Sequence, residues 1–238
     1  MIKKLFKILL KIILALLLLG LIAFGVLYAV YNEEMPIAEK STSADALAEK
    51  MLKAINYEKY AATRYLEWSF AGGKHIYKWD KENEQVTVEW SSYKVLLNLN
   101  NTVKSEVHKS NTVITGSDKE KLITTALDYF NNDSFWLVAP FKIMDKGTER
   151  SIVQLEDGTE ALLVTYTSGG TTPGDTYLWK LQPNGFPVSY KMWVNILPIG
   201  GLEATWDNWQ VMESGAFLPV SHQLGPISLS MGAVSAYN

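Results

Sequence analysis

The chain of 238 residues contains no cysteine. That excludes disulfide frameworks, thiolate metal sites, cysteine nucleophiles and lipid attachment through an N-terminal cysteine. Histidine is scarce as well. His75, His108 and His222 are far apart and lack any local ligand spacing, so each reads as a single histidine on a strand. No G-x-S-x-G, P-loop, G-x-G-x-x-G or H-E-x-x-H motif occurs. The Glu156/Asp157 pair precedes a glycine turn and reads as solvated. Ser168-Gly169-Gly170 has no following helix with which to build an anion nest and reads as a hairpin loop. These absences leave no expected cofactor or metal, and the expectation is a protein that is not an enzyme.

Acidic residues are missing from the first 32 positions. Lys3, Lys4, Lys7 and Lys11 are the only charges before Glu33, so the net charge of −3 divides unequally. The rest of the chain holds 18 basic and 25 acidic residues, a net of −7. An acidic body argues against a nucleic-acid partner, which would need surplus Lys and Arg for the phosphates.

What is present begins with a long apolar run. Residues 12–30, IILALLLLGLIAFGVLYAV, are 19 positions without a charge. As a helix they span about 28 Å, close to the hydrocarbon thickness of a bilayer. Lysines precede the run and Glu33 and Glu34 follow it, which sets the N-terminus in the cytoplasm and the body outside. Ala23-Phe24-Gly25 offers a small-x-small cleavage site, but the apolar run continues through Val26, Leu27 and Val30, beyond the length of a signal-peptide core. The expected organisation is a signal anchor over 1–31, a polar linker over 32–42 that includes Pro36, and a β-rich body over 43–238.

The body switches between two periods. Leu47, Met51 and Ile55 recur at helical spacing, with Thr42 or Ser43 available as a cap and an end near Asn56. Alternation follows in Leu66/Trp68/Phe70, His75/Tyr77/Trp79, Val86/Val88/Trp90 and Val95/Leu97/Leu99, with Gly72-Gly73 as a hairpin turn. Ser117-x-x-Glu120 has capping-box spacing and opens a second helix, expected to stop at Asn131-Asn132. An aromatic loop, FWLVAPF at 135–141, comes next. Strands then resume, about ten or eleven in all. In the clearest of them Phe186, Val188, Tyr190, Met192, Val194 and Ile196 share one face, expected to point inward, with Pro187, Ser189, Lys191 and Asn195 opposite and Trp193 interrupting that polar face.

Residues 135–231 resemble the outer-membrane lipoprotein-sorting family, the LolA/LolB-like group. The resemblance rests on FWLVAPF at 135–141, TPGD at 172–175 followed by Tyr177 and Trp179, PNGFPVSYKMWV at 183–194 and GGLEATWDNW at 200–209. It implies a mainly β fold with helices (α+β), an incomplete antiparallel β-barrel closed by helices over an apolar cavity, here preceded by one transmembrane helix. It also implies a ligand, the acyl chain of a lipid or lipoprotein, and a single-pass protein of the bacterial inner membrane with its body in the periplasm. The chain differs from the soluble carriers in its anchor, and from the lipid-anchored acceptor in lacking cysteine. Lipid binding is therefore the expectation ahead of lipoprotein transfer itself.

All 8 tryptophans lie in the body. The expected acyl-chain residues are Trp68, Phe70, Trp90, Phe135, Trp136, Trp179, Tyr190 and Trp206. Phe135 and Trp136 lead this group because the expected loop would put them at a cavity mouth. The plain alternative is that the rings fill the core of a wide sheet. A carbohydrate-binding or structural envelope protein would instead present aromatics on an outer face.

Overall fold

The computed structural model describes residues 2–38 and 42–238. Helix α1 (Ile2–Tyr31) leads, and residues 4–31 are exposed along its whole length. It is the one helix among the described residues that is long and apolar enough to cross a membrane, over Lys4–Tyr31. Helix α2 (Thr42–Ala54) and the short α3 (Tyr57–Ala62) follow, separated by Asn56 in the left-handed region.

The first sheet is built from β1 (Tyr65–Phe70), β2 (His75–Asp80), β3 (Gln85–Trp90), β4 (Tyr93–Asn98), β5 (Glu106–Lys109) and β6 (Thr112–Val113). Each pairs antiparallel with its predecessor, as hairpins do. Leu66, Trp68, Tyr77, Val86, Val88, Val95 and Leu97 are buried on one face. This is the face that the alternation predicts. Helix α4 (Gly116–Val138) then crosses to the second sheet, which begins with β7 (Thr148–Gln154), β8 (Glu160–Tyr166), β9 (Thr176–Leu181), β10 (Pro187–Trp193) and β11 (Leu202–Thr205). A two-stranded ribbon, β12 (Gln210–Val211) with β13 (Phe217–Leu218), precedes β14 (Ser221–Leu224) and β15 (Ile227–Ser230), which join the second sheet. Strand β16 (Ser235–Tyr237) returns to pair with β1 in the first.

The result is an α+β fold with two seven-stranded antiparallel sheets that do not close into a barrel. They meet at one corner, where the chain passes from β15 to β16 and Ser69 N–H donates to the Met231 carbonyl (3.0 Å). At the far edges, β6 and β7 do not pair. Helix α4 packs on the first sheet through Ile123, Ala126, Phe130, Leu137 and Val138. Helix α2 packs on the second through Ala44, Ala48 and Met51. Leu52, Trp136 and Trp209 touch both apolar clusters and join them.

Three local expectations change. Helix α4 does not stop at Asn131-Asn132 but runs through Phe135 and Trp136 to Val138. Phe130, Asp133, Ser134 and Leu137 continue its buried stripe at helical spacing, and this packing outweighs two asparagines of modest helix propensity. The capping box does not form. The N-cap position is Thr115, whose side chain makes no capping hydrogen bond. In β10 the ladder slips between Pro187 and Ser189, so Val188 bulges outward and is 37% exposed while Ser189 is buried. Pro187 has no N–H to offer the ladder, which favours a bulge there. Beyond the bulge Tyr190 and Met192 do point inward, whereas Ile196 lies past the end of the strand and is 64% exposed.

Residues 32–38 do not hang free as a linker. Asn32 Oδ1 accepts the Gly200 N–H (2.9 Å), and Glu33 N–H donates to the Gly200 carbonyl (3.0 Å). Trp193 Nε1–H donates to the Glu33 carbonyl (2.8 Å), and Lys191 Nζ pairs with the Glu33 carboxylate (2.7 Å). Ala38, with Val153, Leu155 and Trp193, packs against the buried cluster of Ala161, Leu163 and Leu178 on the outer face of the second sheet. The segment is a strap across that face, and α2 begins on the inner face of the same sheet.

Candidate functional site

The inner face of the second sheet is aromatic because alternate residues of adjacent strands stand side by side. Trp179 of β9 and Tyr190 of β10 are directly paired, and Trp206 follows β11. Their rings meet edge to face or tilted, with centroids 5.0 Å apart for Trp179–Tyr190, 5.1 Å for Trp179–Trp206 and 5.6 Å for Tyr190–Trp206. Trp136 reaches in from α4 to Tyr190 (5.9 Å), and Phe135 meets Tyr177 (4.8 Å) and Tyr166 (5.4 Å). Five of the eight expected acyl-chain residues thus converge: Phe135, Trp136, Trp179, Tyr190 and Trp206. Trp68, Phe70 and Trp90 do not join them. They line the apolar face of the first sheet, Trp68 stacked on Tyr77 (4.6 Å). Phe135 and Trp136 sit on a helix rather than a loop, and both are partly buried.

Polar atoms are stranded in this interior. The indole N–H groups of Trp179 and Trp206 and the Tyr166 hydroxyl are buried without a hydrogen-bond partner. Each such group costs about 1–3 kcal/mol when left unsatisfied. Trp68 and Trp79 share the property beside the first sheet. Burial pushes the tyrosine hydroxyls of Tyr166, Tyr177 and Tyr190 well above their ordinary range. Burial likewise lowers the pKa of His222, opposed by its bond to the Thr205 carbonyl (2.9 Å). The imidazole packs against Trp206 and Trp136 and stays neutral at pH 7.

Sequence reasoning missed a second cluster. Asp133 is buried in α4 and accepts hydrogen bonds from Tyr77 Oη–H (2.6 Å), His75 Nδ1–H (2.7 Å) and Asn132 Nδ2–H (2.8 Å). The signal was its place four residues before Leu137 and three after Phe130 on one helical stripe. It became legible only once the helix was allowed to run past Asn132. His75 stacks on Tyr129 (4.1 Å) and lines a recess of about 1070 Å³ together with Trp90, Tyr93 and Tyr129, between the hairpin turns of the first sheet. An Asp–His pair can orient an imidazole for proton transfer. Among the described residues, however, no hydroxyl nucleophile is bonded to His75, and no three His, Asp or Glu side chains converge as a metal site. The pair's evident work is to pin α4 to β2.

No protein-family model matches the chain, and no curated protein is similar enough to align with it. Fold and site therefore define the class by themselves. The chain is an α+β body of two antiparallel sheets around an aromatic interior, headed by one apolar helix of membrane-spanning length.

Proposed function

We propose that this is a membrane-tethered, exported protein that binds the acyl chains of lipids or lipoproteins in the aromatic interior of its second sheet, in the manner of a LolA/LolB-like carrier held to the inner membrane. The observation behind the reading is the Trp179 and Trp206 indole N–H groups and the Tyr166 hydroxyl, buried without acceptors among apolar rings. An acylated ligand answers both parts of that environment. Its methylenes replace ring–ring contacts at roughly 0.8 kcal/mol per CH₂ buried, and its ester carbonyl oxygens accept from the stranded donors. No catalyst is required, and release follows from competition by a membrane or another protein. A carbohydrate platform has less support. Around the recess of the first sheet Trp90 and Tyr93 are tilted by 34° and Trp90 stands at 89° to Tyr129, so the rings offer a sugar no common plane.

The test uses the full chain in its membrane with a fatty acid bearing a photoreactive group near the end of its chain. Adducts are expected on peptides containing Trp179, Tyr190 and Trp206, competed by unlabelled lipid. Adducts confined to α1 would show only a membrane-embedded helix and would remove the interior as a ligand site.

A further inference from the structure

Strand register places the loops of the second sheet at two ends. Thr148 pairs with Tyr166, Thr165 with Thr176, Trp193 with Thr176 and Met192 with Leu202. The segments 142–147, 167–175 and 194–201 therefore gather at one end, and the turns at 156–158 and 183–185 lie at the other. The gathered loops are bound to one another. Thr167 N–H donates to the Gly147 carbonyl (2.7 Å), Asn195 N–H to Asp175 Oδ1 (2.8 Å) and Asn195 Nδ2–H to the Pro173 carbonyl (3.1 Å).

Helix α1 leaves the body at this same end. Its last residue is Tyr31, and the next two residues are hydrogen-bonded to Gly200. The approach is close enough to demand glycine. A Cβ on Gly200 would lie 2.5 Å from the Trp193 ring, and one on Gly201, at φ +78°, would lie 2.6 Å from the Glu33 side chain. No slack separates a membrane-spanning helix from the body. The loops beside Gly200 must then lie against the surface from which the helix emerges. Those loops carry apolar side chains into solvent: Ile196, 64% exposed, and Met144, 39% exposed, with Pro198 beside them. Exposed large apolar residues at such a place match an interface with lipid.

We propose that this end of the second sheet is seated on the bilayer that α1 crosses, with Ile196 and Met144 entering the headgroup region. The end of the aromatic interior that Phe135, Tyr166, Tyr177 and Leu197 cap then faces the lipid. An acyl chain passes between bilayer and interior without crossing water. The inference rests on α1 being retained in the membrane, and the experiment separates the two.

The absence of cysteine allows single-site labelling of the otherwise unaltered full chain. An environment-sensitive fluorophore is attached at Leu18→Cys, Met144→Cys, Glu156→Cys and Ile196→Cys. The proteins are reconstituted in vesicles of phosphatidylcholine and phosphatidylglycerol with and without a lipid-borne quencher. Labels at 144 and 196 should shift to the blue and be quenched several-fold more than the label at 156, which sits across the sheet by about 20 Å for six or seven strand residues. If 144 and 196 match 156 while 18 is quenched, the anchor stands and the seating is wrong. If 18 itself escapes the quencher, the anchor reading fails and the seating with it.

Discussion

Ser189 is buried on the outer face of the second sheet. Its hydroxyl donates to Glu203 Oε1 (2.6 Å), and Lys180 Nζ donates to the same carboxylate (2.8 Å). Burial pushes the Glu203 carboxyl up, but these two donors outweigh it and the group titrates below its ordinary value. Val188, one residue earlier, bulges from the ladder. An aspartate at 189 would set a second buried carboxylate against Glu203, whereas an aspartate at 188 would face water. Ser189→Asp is therefore expected to cost about 2–3 kcal/mol. Val188→Asp should stay within about 0.5 kcal/mol of the wild type. Urea midpoints of both variants decide it, and equal losses would mean that the bulge is misplaced. Strict alternation in the sequence favours the reverse assignment at these two positions. Period-two reasoning holds at Tyr190 and Met192 and along β1–β4, where each hairpin keeps its ladder intact. It breaks at Pro187, and that residue was the only visible warning, since a missing N–H disrupts a ladder without altering the hydrophobic pattern.

Among the elements, α4 decides how the two sheets relate. Its first turns bury Ile123 and Ala126 against the first sheet, and its last turns carry Trp136 to the point where both apolar clusters touch. Asp133 lies between, locking the helix to β2 through His75 and Tyr77. A helix that ended at Asn132 would remove Trp136 from that junction and leave it to Leu52, Trp209 and the β15–β16 corner. Asp133→Ala strands the buried Tyr77 hydroxyl and takes the partner from the half-buried His75 N–H, and the expected loss is about 3 kcal/mol, with Asp133→Asn milder because the amide oxygen still accepts one bond. Trp136→Ala opens a void between the sheets and is expected to cost about 3–5 kcal/mol. Chemical denaturation measures all three. A Trp136→Ala protein of undiminished stability would mean that the ring does not fill the junction between the sheets. The candidate site was thus legible in composition, as an unusual aromatic load on strands. Its partition into two clusters was not, because whether Trp68 and Trp179 share a cavity depends on sheet topology, which alternation along single strands does not encode. The strap over 32–38 was hidden for the same reason: its partners Lys191, Trp193 and Gly200 are remote in sequence.

For the molecule as a whole, the place where α3, the first sheet and the turn after α4 meet makes stability depend on pH in two opposed ways. Tyr60 stacks on Phe141 with centroids 3.9 Å apart, and Lys81 lies over the other side of this junction, its Nζ 3.9 Å from the centre of the Tyr60 ring and bonded to the Tyr60 carbonyl. Burial, reinforced by the nearby Lys142, lowers the Lys81 pKa from 10.5 to about 8. Between those values the unfolded chain binds more protons than the folded one, so stability rises with pH across that window and the deficit is fully present below pH 8. The buried tyrosines act the other way. Tyr60, Tyr77, Tyr166, Tyr177 and Tyr190 are all raised above 10.0, chiefly by burial, so above that pH the unfolded chain loses protons that the folded one keeps. Their stabilising contribution is whole below about pH 9 and is lost as the pH rises through 10.0. Five such groups outweigh one lysine where the windows overlap, so stability should climb from about pH 8, peak a little above pH 9 and fall steeply by pH 10. Lys81→Met separates the two effects. The Tyr60 carbonyl keeps the Thr63 N–H as a donor (3.2 Å), so the substitution strands no acceptor. The variant should be nearly flat between about pH 8 and pH 9, should exceed the wild type at pH 7, and should lose stability as the pH rises through 10 as the wild type does. Urea midpoints taken across that range test both halves. A rise that survives in Lys81→Met would assign it to another group, and a wild-type decline that starts at pH 8 would mean that the tyrosines are not shielded as the fold requires.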